Sequence, residues 1–185
     1  MRQKTIGILA GSLRRDSYSK KVAHSLAGLL AERFEVKILE IGNLPLYNQD
    51  LDDNGQPPQS WLDLRRDVRG LDGVLFVTPE YNRSLPAALK NALDIASRPY
   101  VQNAWSGKPG AVISVTPGKI GGFGAAQHLR QAAACVNIRM MAQPEAYIGE
   151  VAVLTDETGV KDERTIKFLQ SFGDAFAAWV DCLTA

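Results

Sequence analysis

The feature that most constrains this chain is a regular alternation of short apolar runs with longer amphipathic stretches, sustained from Thr5 to Leu183. Runs of strand length, bounded by turn residues and separated by segments of helical spacing, define βα units around a mainly parallel sheet. Thr5–Ala10 is an apolar run cut off by Gly11 and reads as a buried first strand. Ser19–Phe34 then places Val22, Ala23, Leu26, Leu29 and Leu30 at helical spacing. Glu35–Ile41 alternates as a second strand would, and Gly42–Pro58 is a long Pro/Gly/Asn/Asp-rich loop. Loops of that length in small domains are often functional. Trp61–Arg69 reads as a charged surface helix. Gly73–Thr78 is the central strand, apolar on both faces and ending at Pro79. A helix follows from about Ser84, with Pro86 in its first turn, where the missing N–H costs nothing. Its apolar stripe is Leu85, Leu89, Leu93 and Ala96. Gly110–Val115, Gly122–Val136 and Arg139–Ala142 continue as strand, alanine-rich helix and strand. Glu163–Leu183 closes the chain as a helix with Ile166, Leu169, Phe172, Phe176, Trp179 and Val180 on one face. Five strands and five helices fill the 185 residues, so residues 1–185 are expected to form one domain.

Composition narrows the function classes. Hydrophobic content of 45% and charged content of 22% are those of an ordinary globular domain. A net charge of +1 gives no argument for nucleic acid or an anionic membrane surface. The two cysteines, Cys135 and Cys182, lie in apolar helical stretches and are expected to be small buried hydrophobes in a reducing compartment. Polar Met1–Lys4 leads straight into a strand, unlike a signal peptide. No apolar run approaches the roughly 20 residues of a membrane span. The expectation is a soluble, cytoplasmic protein.

Right-handed crossovers wind such a chain into a doubly wound sheet, and ligands then bind at the carboxyl ends of the strands. Three distinctive loops leave those ends. Gly11–Ser19 carries Gly11 for a sharp turn, hydroxyls at Ser12, Ser17 and Ser19, and the charges of Arg14 and Arg15. With the free N–H groups and positive dipole end of the following helix, this is an anion cradle suited to a terminal phosphate. It is neither a G-x-x-x-x-G-K-[ST] loop nor a G-x-G-x-x-G fingerprint, which argues against tightly held NAD. Pro79–Ser84 offers irregular backbone with unpaired N–H groups beside the aromatic face of Tyr81, an arrangement suited to a flat heterocycle or to an ordinary capped turn. Thr116–Gly122 is glycine-rich and opens a helix. His24 and His128 lie in helical stretches and read as packing or surface residues, and no metal-ligand cluster is present.

At these residues the sequence resembles the NADPH-dependent FMN reductase family, the flavodoxin-like group that includes bacterial chromate and quinone reductases. Gly11-Ser12-Leu13-Arg14 with Ser17 and Ser19 is similar to that family's G-S-x-R-x-x-S-x-N phosphate loop. Thr78-Pro79-Glu80-Tyr81-Asn82, then Ser84, Pro86, Leu89-Lys90-Asn91 and Asp94, is similar to its T-P-E-Y-N-x-S-x-P-x-x-L-K-N-x-x-D signature. Gly121-Gly122 with Leu129-Arg130 fits the third segment. The likeness runs from about Thr5 to Glu145.

The resemblance implies a flavodoxin-like three-layer sandwich with a five-stranded parallel sheet in the order 2-1-3-4-5. It implies bound FMN, with Ser12, Arg14, Ser17 and Ser19 on the phosphate. Pro79, Glu80, Tyr81 and Asn82 would border the isoalloxazine ring, mainly through backbone, and Thr116 and Gly118 its other edge. Ser19 departs from the family's asparagine and has a shorter reach. The flavin carries the hard chemistry, so no catalytic side chain is required. The implied activity is ping-pong transfer from NADPH or NADH to quinones, free flavins, azo compounds or metal oxyanions such as chromate, in a homodimer or homotetramer. The alternatives are a flavodoxin-type electron carrier, which a charge of +1 does not suit, and a flavin-free binding module, for which the Ser/Arg cradle has no purpose.

Overall fold

The structure, a computed structural model, describes residues 2–184. Among these residues six strands form one sheet: β1 (Thr5–Ala10), β2 (Glu35–Ile38), β3 (Gly73–Thr78), β4 (Pro109–Val115), β5 (Arg139–Met140) and β6 (Ala146–Ile148). The order is β2-β1-β3-β4-β5, with β6 also pairing β4, and every pairing is parallel. This is the doubly wound order that the family resemblance implies. Register runs Ile8↔Leu75 between β1 and β3 and Phe76↔Val112 between β3 and β4.

Among the described residues seven α-helices flank the sheet: α1 (Tyr18–Leu30), α2 (Gln49–Asp53), α3 (Gln59–Arg69), α4 (Ala87–Ala96), α5 (Phe123–Cys135), α6 (Val151–Leu154) and α7 (Glu163–Leu183). Alternate strand residues face opposite layers, as the two-residue period of a strand requires. Ile6, Ile8, Leu75, Val77, Ile113 and Val115 pack with Leu26, Phe172 and Phe176 of α1 and α7. Leu9, Val74, Phe76 and Val112 pack with Trp61, Leu89, Leu93 and Leu129 of α3, α4 and α5.

The structure corrects several expectations. A sixth strand, β6, lies where no element was expected, starting two residues after Pro144 and too short to show periodicity. The second strand ends at Ile38 rather than Ile41, and Pro86 caps α4 instead of entering its first turn. Cys135 and Cys182 are exposed, because the buried stripes of their helices run through Ala125, Leu129 and Ala133, and through Phe172, Phe176 and Val180. Gly11 keeps its backbone outside the left-handed region; a Cβ there would lie 3.1 Å from Pro79 Cδ, so the glycine serves close approach of two loops rather than a turn.

Helix α3 is not merely a charged surface helix, and the loop before it is not free. Arg65 is buried and grips Asp52 of α2 with two bonds of 2.7 Å, while its Nε donates to Ile95 O at 2.9 Å. Hydrogen bonding from Arg65 holds the Asp52 carboxyl below the ordinary aspartate range, and burial pushes the Tyr47 hydroxyl beside it up. Trp61 donates its indole N–H to Pro45 O, and Asn91 of α4 accepts from Tyr47 N and donates to Leu44 O and Pro45 O. The 42–58 segment is therefore strapped to α3 and α4. Asn91 serves that strap.

Candidate functional site

The three loops converge at the carboxyl ends of β1, β3 and β4 around a cleft of about 250 Å³. Eight of the ten residues singled out from sequence line it: Ser12, Arg14, Ser17, Ser19, Pro79, Glu80, Tyr81 and Thr116. Tyr18, Val115 and Pro117 complete the wall. Sequence reasoning had passed over these three, although each adjoins a residue it had chosen.

The first loop organises itself. Ser17 adopts extended backbone as the N-cap of α1, and its Oγ accepts from Lys20 N at 3.2 Å. The N–H groups of Tyr18 and Ser19, in the first helical turn, have no partner within the helix. Ser12, Ser17 and Ser19 are all buried to 4% exposure or less, yet of their hydroxyls only Ser17 Oγ is bonded among the described residues. Arg14 is exposed at the rim. Donors that are shielded from bulk water but unspent on protein, at the positive end of a helix, suit a phosphate dianion.

The second loop is held differently. Tyr81 and Ser84 exchange hydrogen bonds of 3.0 and 2.9 Å around Asn82 and Arg83, which lie in the left-handed region at φ 50° and 66°. Tyr81 keeps 47% of its surface exposed beside the cleft. Glu80 lines the cleft, but its Oε2 accepts from Ala125 N at 3.0 Å. Asn82 does not line the cleft; it shapes the turn that presents Tyr81.

The third loop leans on the segment that contains β6. Thr116 N donates to Ile148 O, Glu150 N to Gly118 O, and Ser114 Oγ to Gly121 O. Gly121 and Gly122 take φ of 69° and 80°, and a Cβ on Gly121 would lie 2.7 Å from the Tyr147 carbonyl carbon. Burial raises the Tyr147 hydroxyl above its ordinary range, with Glu145 adding to the effect. Gly118 does not line the cleft, and its carbonyl accepts from Glu150 N and Thr116 Oγ1. His128 is exposed, with Nδ1 2.9 Å from Ser84 Oγ, and His24 is exposed on α1.

A doubly wound sheet with an anion cradle after β1 and an aromatic turn after β3 defines a flavodoxin-like flavoprotein. Solved flavodoxins share the architecture, among them one from Pseudomonas aeruginosa at a TM-score of 0.57 and 18% identity, covering 96% of this chain and 99% of that one. The model of the NADPH-dependent FMN reductase family matches residues 4–152, and the chain belongs to that family. A quinone reductase of Pseudomonas putida is 51% identical over 176 residues, 95% of this chain and 94% of that protein. A 2-hydroxy-1,4-benzoquinone reductase of a Burkholderia species is 47% identical, covering 95% of each chain. The solved flavoenzyme FerB of Paracoccus denitrificans, an NAD(P)H:(acceptor) oxidoreductase, superposes with a TM-score of 0.88 at 45% identity, covering 96% of this chain and 97% of that one. The protein is an NAD(P)H-dependent oxidoreductase that uses FMN.

Proposed function

We propose that the protein reduces quinones with electrons taken from NAD(P)H, acting as one FMN-binding domain over its whole length. The observation that carries this reading is the cleft itself, where unspent donors at the α1 N-terminus stand opposite an exposed tyrosine. The names of relatives matched over 95% of the chain point the acceptor class toward quinones. Ser12, Arg14, Ser17 and Ser19 hold the phosphate, with the Tyr18 and Ser19 N–H groups behind them. Ser19 is buried in the first helical turn, so its shorter side chain is compensated by a backbone that already reaches the cradle.

Pro79, Glu80 and Tyr81 border the ring, Asn82 sets their geometry, and Thr116, whose hydroxyl donates to Gly118 O outside the cleft, limits the opposite edge. FMN held there would supply the two-electron chemistry that links NAD(P)H oxidation to acceptor reduction, in a ping-pong cycle. The chain's own tasks are to hold the flavin, keep one face open beside Tyr81, and exclude water from the phosphate side. Free flavins, azo compounds and metal oxyanions such as chromate are further acceptors for the same open face. Assembly as a homodimer or homotetramer and a cytoplasmic location belong to this reading. No helix among the described residues is long and apolar enough to cross a membrane.

Purified protein is expected to be yellow, to be bleached by NADPH or NADH under anaerobic conditions, and to recover its colour on addition of benzoquinone. Initial rates at varied nucleotide and quinone are expected to give parallel double-reciprocal lines. Colourless protein that fails to take up FMN would overturn the reading. Yellow protein that no nicotinamide reduces would make it a flavodoxin-type carrier instead.

A further inference from the structure

The turn that presents Tyr81 is strained, and it is held from outside. With Asn82 and Arg83 both left-handed it has type I′ geometry, which accepts asparagine at the first central position and favours glycine at the second. Arginine at φ 66° carries a steric cost that its surroundings must offset. Those surroundings are the first two turns of α5. Glu80 Oε2 accepts from Ala125 N at 3.0 Å, before the turn. Ser84 Oγ lies 2.9 Å from His128 Nδ1, at its end. Between them the Arg83 carbonyl rests on Gly124, where a Cβ would come within 2.8 Å of the carbonyl oxygen. Gly124 and His128 are four residues apart and so share one face of the helix.

The dependence runs both ways. Helix α5 is preceded by Gly122, a left-handed N-cap with no side chain to offer. Glu80 accepts from the third residue of the helix, the bond an N-cap serine would make, and sets its charge at the positive end of the dipole. The cap of α5 has been moved onto the loop after β3. A lone structural cap would not need the turn's far end tied to the same helix face by His128.

We propose that Glu80 and His128 are positioning residues that keep the Tyr81–Ser84 turn in its left-handed form, so that Tyr81 and the 79–82 backbone are set for the flavin ring before it binds. Glu80 then acts through the turn, not through a side-chain contact with the ring. This rests on the FMN reading above.

The test uses apoprotein of Glu80→Ala, Glu80→Gln, His128→Ala, and Glu80→Ala combined with Arg83→Gly. Three quantities are read: FMN dissociation by quenching of its fluorescence, amide hydrogen exchange over 80–84 and 123–126, and the thermal midpoint. In Glu80→Ala, exchange is expected to accelerate in both segments and the FMN dissociation constant to rise about tenfold, or ~1.4 kcal/mol. Glu80→Gln, which keeps an acceptor oxygen for Ala125 N, is expected to recover most of the affinity. His128→Ala is expected to shift affinity about threefold, half of the Glu80→Ala effect on a logarithmic scale. Glycine at position 83 carries no left-handed cost. Adding it to Glu80→Ala is expected to restore FMN affinity while the thermal midpoint stays low, because α5 is still uncapped.

A fall in thermal midpoint with unchanged FMN affinity would overturn the proposal and leave Glu80 as a cap alone. Failure of Arg83→Gly to restore affinity would also overturn it. If wild-type apoprotein does not bind FMN, the functional reading fails, and exchange over 80–84 still decides whether Glu80 holds the turn.

Discussion

The loop after β1 and the loop after β3 stand side by side and do the same topological job, yet they are held by opposite means. Between Gly11 and Ser19 the chain caps its own helix through a serine three residues from the N–H it satisfies, and leaves hydroxyls and N–H groups over. Between Pro79 and Ser84 the chain places Asn82 and Arg83 in left-handed conformations and depends on a helix far along the sequence, reached by Glu80 at Ala125, 45 residues on. The loop after β4 resembles the second in this respect, resting on β6 and the residues after it, and so does the strap between α2 and α3. A loop that is locally self-sufficient has donors to spare for a ligand. A loop held from afar has spent its polar groups on the protein and contributes shape.

The comparison can be broken most forcefully at the strap. Asp52→Ala leaves the Arg65 guanidinium buried without its partner, and unfolding in urea is expected to show a loss of about 3–5 kcal/mol. The same pair predicts a pH response. The folded Asp52 carboxyl titrates below its unfolded value, so its contribution is complete above the ordinary aspartate value of about 3.9 and is lost as pH falls through the lower folded value. The stability gap between wild type and Asp52→Asn is therefore expected to close on acidification from pH 5 downward. A gap that holds constant with pH would show that the charge of Asp52 is not what anchors the strap.

Gly121→Ala comes next. It adds a Cβ against the Tyr147 backbone at a positive φ, and is expected to cost about 2–4 kcal/mol in the same denaturation assay.

Within the self-organised loop, loss of the ligand-facing charge should show in binding rather than stability. Arg14→Ala is expected to weaken FMN by about 1.5–3 kcal/mol, read by equilibrium titration, with the unfolding midpoint of the apoprotein almost unmoved. Equal losses in both assays would place Arg14 among the structural residues and erase the contrast. Smallest is Ser17→Ala, where loss of the cap is expected to cost about 1 kcal/mol in apoprotein stability, with Ser17→Gly costing only a few tenths.

The same division explains what could be read from the sequence. The strands Thr5–Ala10 and Gly73–Thr78 and the long helix Glu163–Leu183 are legible because their information is local: an unbroken apolar run, or a repeating stripe. The phosphate-side loop is legible for the same reason, since its hydroxyls, charge and cap lie within nine residues of one another. Its glycine is legible as glycine but not in purpose, because the close approach to Pro79 belongs to tertiary structure. The 42–58 segment reads as an open loop because Asp52 and Arg65 sit thirteen residues apart and neither announces the other. The burial of Trp61 within a charged segment, the exposure of Cys135 and Cys182, and the detour of Glu80 toward α5 are hidden likewise. They depend on which face of a helix meets the sheet, or on a partner supplied by a distant element. Family likeness brought Glu80 into view as a site residue, and only the geometry shows where its carboxylate goes.

The two margins of the sheet deserve a last thought for what they forbid. On one side lies β2, four residues long with Glu35 and Lys37 along it; on the other, the border is divided between β5, two residues, and β6, three. Both margins are short, and the one at β2 carries charges, two of the devices by which native sheets discourage another chain from continuing the ladder. Substitutions that removed the charges of Glu35 and Lys37 would take away that protection at the β2 edge.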